Sequence, residues 1–337
     1  RSFDSAAWVG AKERAKALAH PAGGSRVRVV DFSGSAPPLE VDDVELASLV
    51  AFYKHPAREL LKATIGVSLK EYDRGLPDEL PLEVDVLATW GLASDFLSDG
   101  LTWDEVVRQR RLTGALPPGL LGSKELAQAR DLAGAIAERA RPFRTTPERL
   151  VDVAVDLPSG QRISGTVTAI GSTLLDVTPS WISGSHLVDA WLRLVCVAAT
   201  DTPATAGSWR AVLVGKGHRN IALTAPDVDV ARSILGELAA VRTAGLRSLV
   251  PLPPKSTEKL LRVGRTAPMD PDVDQAAKAW VRECDQDWAA LVGSEDWADL
   301  AGVRFTCPSI CHDWGVVELA EWFWGPVGVA HSLGVRV

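Results

Sequence analysis

The chain has 337 residues, 46% apolar and 23% charged, an ordinary globular composition with room for about two domains. Its net charge of −7 argues against a simple nucleic-acid sponge, and no run of about 18 uninterrupted apolar residues offers a membrane span. Four cysteines (Cys196, Cys284, Cys307, Cys311) are too few for a disulfide scaffold and point to a reduced, cytoplasmic setting.

The first 40 residues carry no initiator Met and no apolar secretory run, and they mix a short helical pattern with the breakers HPAGG and SGSAPP. They are expected to form a lead-in or linker with one strand at SRVRVVDF, in a piece of something longer. Residues 41–145 read as helical. Asp43 can cap a helix in which Leu46, Leu49, Val50 and Tyr53 recur at helical spacing; Pro56 opens a second helix and Gly66 ends it. Further helical segments follow at 82–98, 102–112 and 123–140.

After RPFRTTPERL the apolar period changes from near 3.6 to 2. RLVDVAVDL, QRISGTVTAI, TLLDVTPSWI and SWRAVLVGKGHRNIALTA read as strands. Between them SHLVDAWLRLVCVAAT reads as a helix with Leu187, Trp191, Leu194 and Val195 on one side. Another amphipathic helix follows in DVDVARSILGELAAVRTAG. PLPPKS breaks the chain, and Trp280, Cys284, Trp288 and Leu291 mark a late helix. The expected fold is α/β of the α+β kind: a helical region, then a mixed-sheet domain over 146–337 that ends in an acidic, Trp-rich tail. Arg141 to Met269 holds 15 bases and 10 acids, whereas from Asp270 onward there are 12 acids and 4 bases. A basic middle before an acidic tail suits weak contact with DNA and strong contact with protein, with scattered solvated charge as the plainer alternative.

The stretch GTVTAIGSTLLDVTPS, residues 165–180, is the most informative. Gly171-Ser172 invites a two-residue turn, but polarity favours the three-residue loop Gly171-Ser172-Thr173. That loop pairs Ala169 with Leu175 and Val167 with Val177 on a dry face, and Thr168 with Asp176 and Thr166 with Thr178 on a polar one. A hydrolytic Mg²⁺ site needs carboxylates to offset the ion's desolvation and commonly a lysine beside them. One acid between two threonines is a poor cradle. A half-buried sheet face with satisfied hydroxyls is the structural alternative.

RSFD at the start, VELASLVAFYKHPARELLKATIGVSL, LTGALPPGLLG, VPLPPKSTEKLLR followed by AAKAWV, and WGPV near the end run in colinear order over most of the chain. In these stretches the sequence resembles the C-terminal part of the gamma subunit of exodeoxyribonuclease V (RecC), the partner of RecB and RecD. The resemblance implies a restriction-endonuclease-like domain of the PD-(D/E)XK type that has lost its catalytic residues. Live members of that group carry G-x-x-D on one strand and D-x-K on the next. The match places Gly165 on the glycine, Thr168 on the first acid, Asp176 on the second and Thr178 on the lysine, with Trp191 at an aromatic position of the following helix. It further implies a non-catalytic subunit segment of a helicase–nuclease that processes double-strand DNA ends for recombinational repair. RecB-like and RecD-like partners would carry the ATP and Mg²⁺ chemistry, and this segment no cofactor. Recognition of the regulatory sequence would lie outside it. An active nuclease recruiting Asp176 with Asp152, Asp156 or Glu138, and a protein-interaction domain without a DNA role, are the rival readings.

Other groupings are less specific. CPSICH sets Cys307, Cys311 and His312 close together, and helical spacing would put both thiols on one face with Cys284 as a further ligand; the C-x₃-C spacing lacks the usual zinc knuckle and Pro308 disfavours a regular helix, so buried free cysteines are the default and no metal is assigned. VGKGHRN places Lys216, His218 and Arg219 on a Gly-rich turn that is a DNA-backbone candidate or a solvated tip. Arg108, Arg110 and Arg111 form a solvated helix face or a DNA or partner patch. SWISGSH lacks the spacing of a nucleophile elbow. Trp314, Trp322 and Trp324 are candidates for a partner surface, with core packing as the alternative.

Overall fold

The computed structural model describes residues 43–66, 86–98, 100–116, 123–200, 209–217, 220–261 and 271–334. The strand expected at SRVRVVDF lies outside the described residues. The first strand, β1 (Val44–Glu45), runs parallel to Ile163 and Ser164 of β3 (Arg162–Ile170). Extended backbone here removes Asp43 from its expected capping role: its Oδ1 instead accepts the Arg162 N–H at 3.2 Å. Helix α1 (Leu46–Lys54) buries Leu46, Leu49, Val50, Phe52 and Tyr53. Pro56 opens α2 (Pro56–Ile65), His55 caps it by accepting the Arg58 N–H on Nδ1 at 3.1 Å, and Gly66 closes it with φ 71°. Three helices follow: α3 (Val86–Ser98), α4 (Trp103–Leu112) and α5 (Ser123–Ala140). In α4, Glu105 reaches back to accept the Thr102 N–H at 2.8 Å.

The sheet then assembles from β2 (Glu148–Asp156), β3, β4 (Thr173–Val177), β5 (Arg210–Val214) and β6 (Ile221–Thr224). Among the described residues it has six strands in the order β1-β3-β4-β5-β6, with β2 on the other edge of β3. The β2–β3 and β5–β6 pairs are antiparallel. β4 and β5 are parallel along their length, and the crossover that joins them is α6 (Gly184–Thr200). This is the mixed-sheet α+β class expected from sequence.

β5 alternates between two cores. Ala211 and Leu213 join α1, α6 and α7 (Val228–Gly245) on one face, while Val212 and Val214 join α3, α4 and α5 on the other. The helices of 41–145 are therefore shared between the two faces: α1 and α2 share a core with α6, and α3 to α5 lie opposite.

The hairpin differs from the expected one. Ile170 pairs with Thr173, so the loop is the two residues Gly171-Ser172, with Gly171 at φ 61° as a type II′ turn requires. The polarity argument presumed a long β3–β4 ladder. Only this one pair is in register; beyond it β4 pairs with β5 and β3 with β2 on their other edges, and the facing edges part.

The remaining elements are α8 (Pro254–Leu261), α9 (Val273–Glu283), α10 (Gln286–Val292), α11 (Trp297–Ala301), the hairpin β7 (Phe305–Cys307) and β8 (His312–Trp314), and α12 (Val316–Gly334). The acidic tail is built inward. Trp280, Trp288 and Trp324 are at most 1% exposed, and Trp314 is buried as well. Trp280 and Trp288 meet edge to face at 5.5 Å, and the Trp324 indole N–H donates to Thr257 Oγ1 at 2.9 Å. Cys307 and Cys311 share no helix, as expected from Pro308. A 3₁₀ turn at 308–310 separates them, Cys307 is buried, and Cys311 is exposed at a left-handed φ of 52°.

Close packing at the start of α6 sets the position of α8. A Cβ on Gly184 would run into the Pro254 carbonyl oxygen and lie 3.1 Å from Glu258 Cβ. Gly184→Ala is expected to cost about 2 kcal/mol or more in urea unfolding, because backbone rather than a flexible side chain must yield. Trp324→Ala is expected to cost about 3–5 kcal/mol in the same measurement, as a core residue does.

Candidate functional site

One edge of β3 is taken by β1 at Ile163–Ser164 and by β4 at Ile170, and the register pairs leave its residues 165–169 without a strand on that side. Opposite this gap opens a cavity of about 260 Å³, bordered by Val167, Thr168, Asp176, Asp189 and Arg193 among others. α1 closes over the strand's start, where a Cβ on Gly165 would lie 2.7 Å from Leu46 Cβ.

The two-residue turn decides which side chains share a face. Val167 and Leu174 enter the core of α1 and α6, whereas Leu175 and Val177 pack toward α3–α5. Asp176 alternates with Leu175 and Val177 and so faces α6. Thr168 alternates with Val167, faces the other way and is exposed. The expected cross-strand pairing of Thr168 with Asp176 therefore does not form, although both border the cavity at the gap between β3 and β4. Thr178 is buried, and its Oγ1 accepts the Ser180 N–H at 3.3 Å in a local turn.

Facing Asp176, α6 presents His186, Asp189 and Arg193 at helical i, i+3 and i+7 positions. Lys54 of α1 donates to Asp189 Oδ2 at 2.9 Å, and Arg193 donates to Asp189 Oδ1. Burial pushes Asp189 up, but the bonds and charges of Arg193 and Lys54 outweigh it and hold the carboxyl below its ordinary value. Asp176 has no such partner; burial raises it, with His186 opposing and Asp189 reinforcing. Burial also keeps His186 low, against the pull of Asp176. Its Nδ1 accepts the Ser183 N–H at 3.1 Å at the head of α6, so its proton sits on Nε2.

These residues do not fit a divalent cation. The second carboxylate is already matched by two cations, and the remaining acid stands alone. The acids of the rival active-nuclease reading do not converge on it either. Asp156 pairs with Arg162 at 2.6 Å, Glu138 pairs with Arg141 at 3.3 Å, and Asp152 sits on β2 opposite Thr166.

Among the described residues, one grouping does bring three metal-ligating side chains within 4.8 Å: His55, Asp285 and Asp287. Its hydrogen bonds oppose coordination. Since His55 Nδ1 accepts from Arg58, Nε2 carries the proton and donates to Asp285 Oδ2 at 3.0 Å. Arg58 then bridges Asp285 at 2.8 Å and Asp287 at 2.7 Å. The grouping is an ion-pair latch between α2 and α10. Burial works against the Asp285 anion, yet His55, the Trp288 N–H and Arg58 bring it down to about 2.

The other expected site residues are scattered. Arg108 and Arg111 are exposed on α4, but Arg110 donates to Asp95 at 2.6 Å and is committed there. Lys216 is exposed with its Nζ 5.9 Å from the Trp181 ring, while His218 and Arg219 lie outside the described residues. Trp314 and Trp324 are core residues, which overturns their expected place on a partner surface. Trp322 is half-buried, donates to Glu237 at 2.8 Å, and borders an apolar cavity of about 360 Å³ together with Trp191. Sequence reading missed Lys54, His186, Asp189 and Arg193 as a group. The available signal was a polar stripe at helical spacing on a helix otherwise apolar nearly all round.

A family model described as RecC C-terminal domain matches residues 41–265. The RecBCD enzyme subunit RecC of Mycolicibacterium smegmatis is 32% identical over 265 residues, which cover 76% of this chain and 23% of the relative. The protein of the same name from Mycobacterium tuberculosis is 34% identical over 252 residues, covering 72% and 22%. The chain thus spans less than a quarter of the length of these relatives. No helix among the described residues is long and apolar enough to cross a membrane.

Two carboxylates give opposite pH signatures. Asp285 is depressed when folded, so its stabilisation is complete above the ordinary carboxylate value near 4 and lost as pH falls through about 2. Asp285→Asn is expected to cost about 1–2 kcal/mol at neutral pH and almost nothing near pH 2, read by denaturant titration at both. Asp176 is raised, so its ionised form costs stability above its folded value. Asp176→Asn is expected to raise the midpoint of thermal unfolding at pH 7, with the gain vanishing below the ordinary carboxylate value.

Proposed function

This chain belongs to the RecC C-terminal domain family, and from that premise we propose that it is a non-catalytic portion of a subunit in a RecBCD-type helicase–nuclease processing double-strand DNA ends. Its role is to scaffold the motor subunits and guide the strands for recombinational repair, in the cytoplasm. The observation that carries the non-catalytic reading is the charge balance of the cleft. Lys54 and Arg193 saturate Asp189, and Asp176 is left as a single half-buried acid with no cation bonded to it among the described residues. The frame around it, an antiparallel hairpin followed by a helical crossover to a parallel strand, supports a nuclease-like ancestry of the PD-(D/E)XK type. Thr168 and Thr178 stand where that ancestry would have an acid and a lysine.

In this reading ATP hydrolysis and Mg²⁺-dependent cutting belong to RecB-like and RecD-like partners, and this region meets DNA through contacts that read no sequence. The test is reconstitution of the intact protein with those subunits. Asp176→Ala is expected to leave ATP-dependent degradation of linear DNA within about twofold of wild type, since an interaction absent from the transition state does not change the rate. Binding of forked DNA is expected to weaken steeply as salt rises. Mg²⁺-dependent cutting by the intact chain alone, abolished by Asp176→Ala, would sink the proposal.

A further inference from the structure

Among the described residues, nine of the eleven tryptophans are buried or half-buried, and two stand out by exposure: Trp181 at 65% and Trp90 at 45%. Leaving an indole in water forgoes a burial free energy that every core tryptophan here obtains. Both exposed rings hang on one turn. Trp181 is part of it, and Trp90 of α3 donates its indole N–H to Ser180 Oγ at 2.7 Å. Paired exposure at one place marks an interaction site more strongly than isolated apolar residues do.

The turn is fixed from below. Ser180 O accepts the Lys216 N–H at 2.7 Å. A Cβ on Gly215 would lie 2.7 Å from that same carbonyl oxygen, and one on Gly217, at φ 103°, would lie 2.6 Å from Trp181 Cζ3. The glycine backbone therefore approaches the indole more closely than any side chain would permit, while most of the ring stays exposed. Arg139 of α5 anchors the strand end by donating to the Gly215 carbonyl. Such a ring is held in place before any ligand arrives, which lowers the entropy cost of binding.

Charge selects the ligand. Lys216 Nζ lies 5.9 Å from the Trp181 centroid, and among the described residues no carboxylate pairs with it. A flat π face beside an unneutralised ammonium matches an unpaired base attached to a phosphate. A duplex keeps its base faces inside the stack and cannot use the ring. The position is suitable as well: the turn follows the carboxyl end of β4 and meets the carboxyl end of the parallel β5, the side on which open α/β sheets receive ligands.

We propose that Trp181, with Trp90 and Lys216, forms a base-stacking platform for single-stranded DNA at the carboxyl ends of β4 and β5. The inference rests on the DNA-end-processing role proposed above and gives it a specific surface.

The experiment uses the intact protein with its partner subunits and a fluorescent oligo(dT), with 5-iododeoxyuridine substituted for mapping. Photocrosslinking is expected to mark the peptide containing Trp181 or the one containing Trp90. Trp181→Ala is expected to weaken single-strand affinity about 5- to 20-fold and leave duplex affinity within about twofold, with Trp181→Phe retaining most of the binding. Lys216→Gln is expected to lower affinity and reduce the salt slope by about one. Wild-type, salt-sensitive strand binding with no change in Trp181→Ala overturns the platform and leaves the proposed function standing. No strand binding by the wild type overturns both. Loss of subunit association in Trp181→Ala with strand binding intact identifies a protein interface and overturns the platform.

Discussion

Two parallel strands lying side by side cannot be joined by a tight turn, and this constraint at β4 and β5 organises the molecule. The connection must cross over the sheet, so α6 is pressed onto one face and buried nearly all round. A helix so enclosed can carry polar groups only where they find partners. His186, Asp189 and Arg193 meet that requirement by facing the one part of the sheet where β3 lacks a neighbour. Lys54 is then drawn in from α1 to complete the neutralisation. The cleft, its charge balance and the packing of α1 against Gly165 all follow from the crossover.

Seen from its energetics, the cleft resembles a filled socket more than a vacant one. Asp189 between two cations recovers the cost of being taken from water, at least in part, through hydrogen bonds of good length. Asp176, without a cation in bonding contact, bears its burial through a raised protonation equilibrium. The same contrast recurs at the α2–α10 latch, where Arg58 serves two aspartates and His55 acts as cap and donor together. In both places arginine helps to neutralise the carboxylates by direct bonds.

Much of the fold was legible in the sequence because local rules sufficed. Pro56 and Gly66 bracketed α2, and the apolar repeat at Leu46, Leu49, Val50 and Tyr53 marked α1. What escaped was decided by distant partners. The two-residue β1 carries no periodicity of its own, so its union with β3, more than a hundred residues later, left α1 and α2 looking like part of a separate helical region. The Lys54–Asp189 pair spans 135 residues and has no spacing to betray it. The tail misled for a different reason. Acids and tryptophans alternate along the same short helices, so net charge suggested a surface while the indoles were building a core.

The turn at Gly171-Ser172 carries a lesson about reversing the loss of a metal-binding arrangement. Strand side chains obey a parity of two, and the turn sets the parity of β4 relative to β3. Positions 168 and 176 therefore alternate to opposite sides, yet both border the gap where β3 and β4 part. A carboxylate introduced at 168 would still face a neighbouring acid, Asp189, already held by Lys54 and Arg193, so one exchange of a side chain does not empty the socket for a cation.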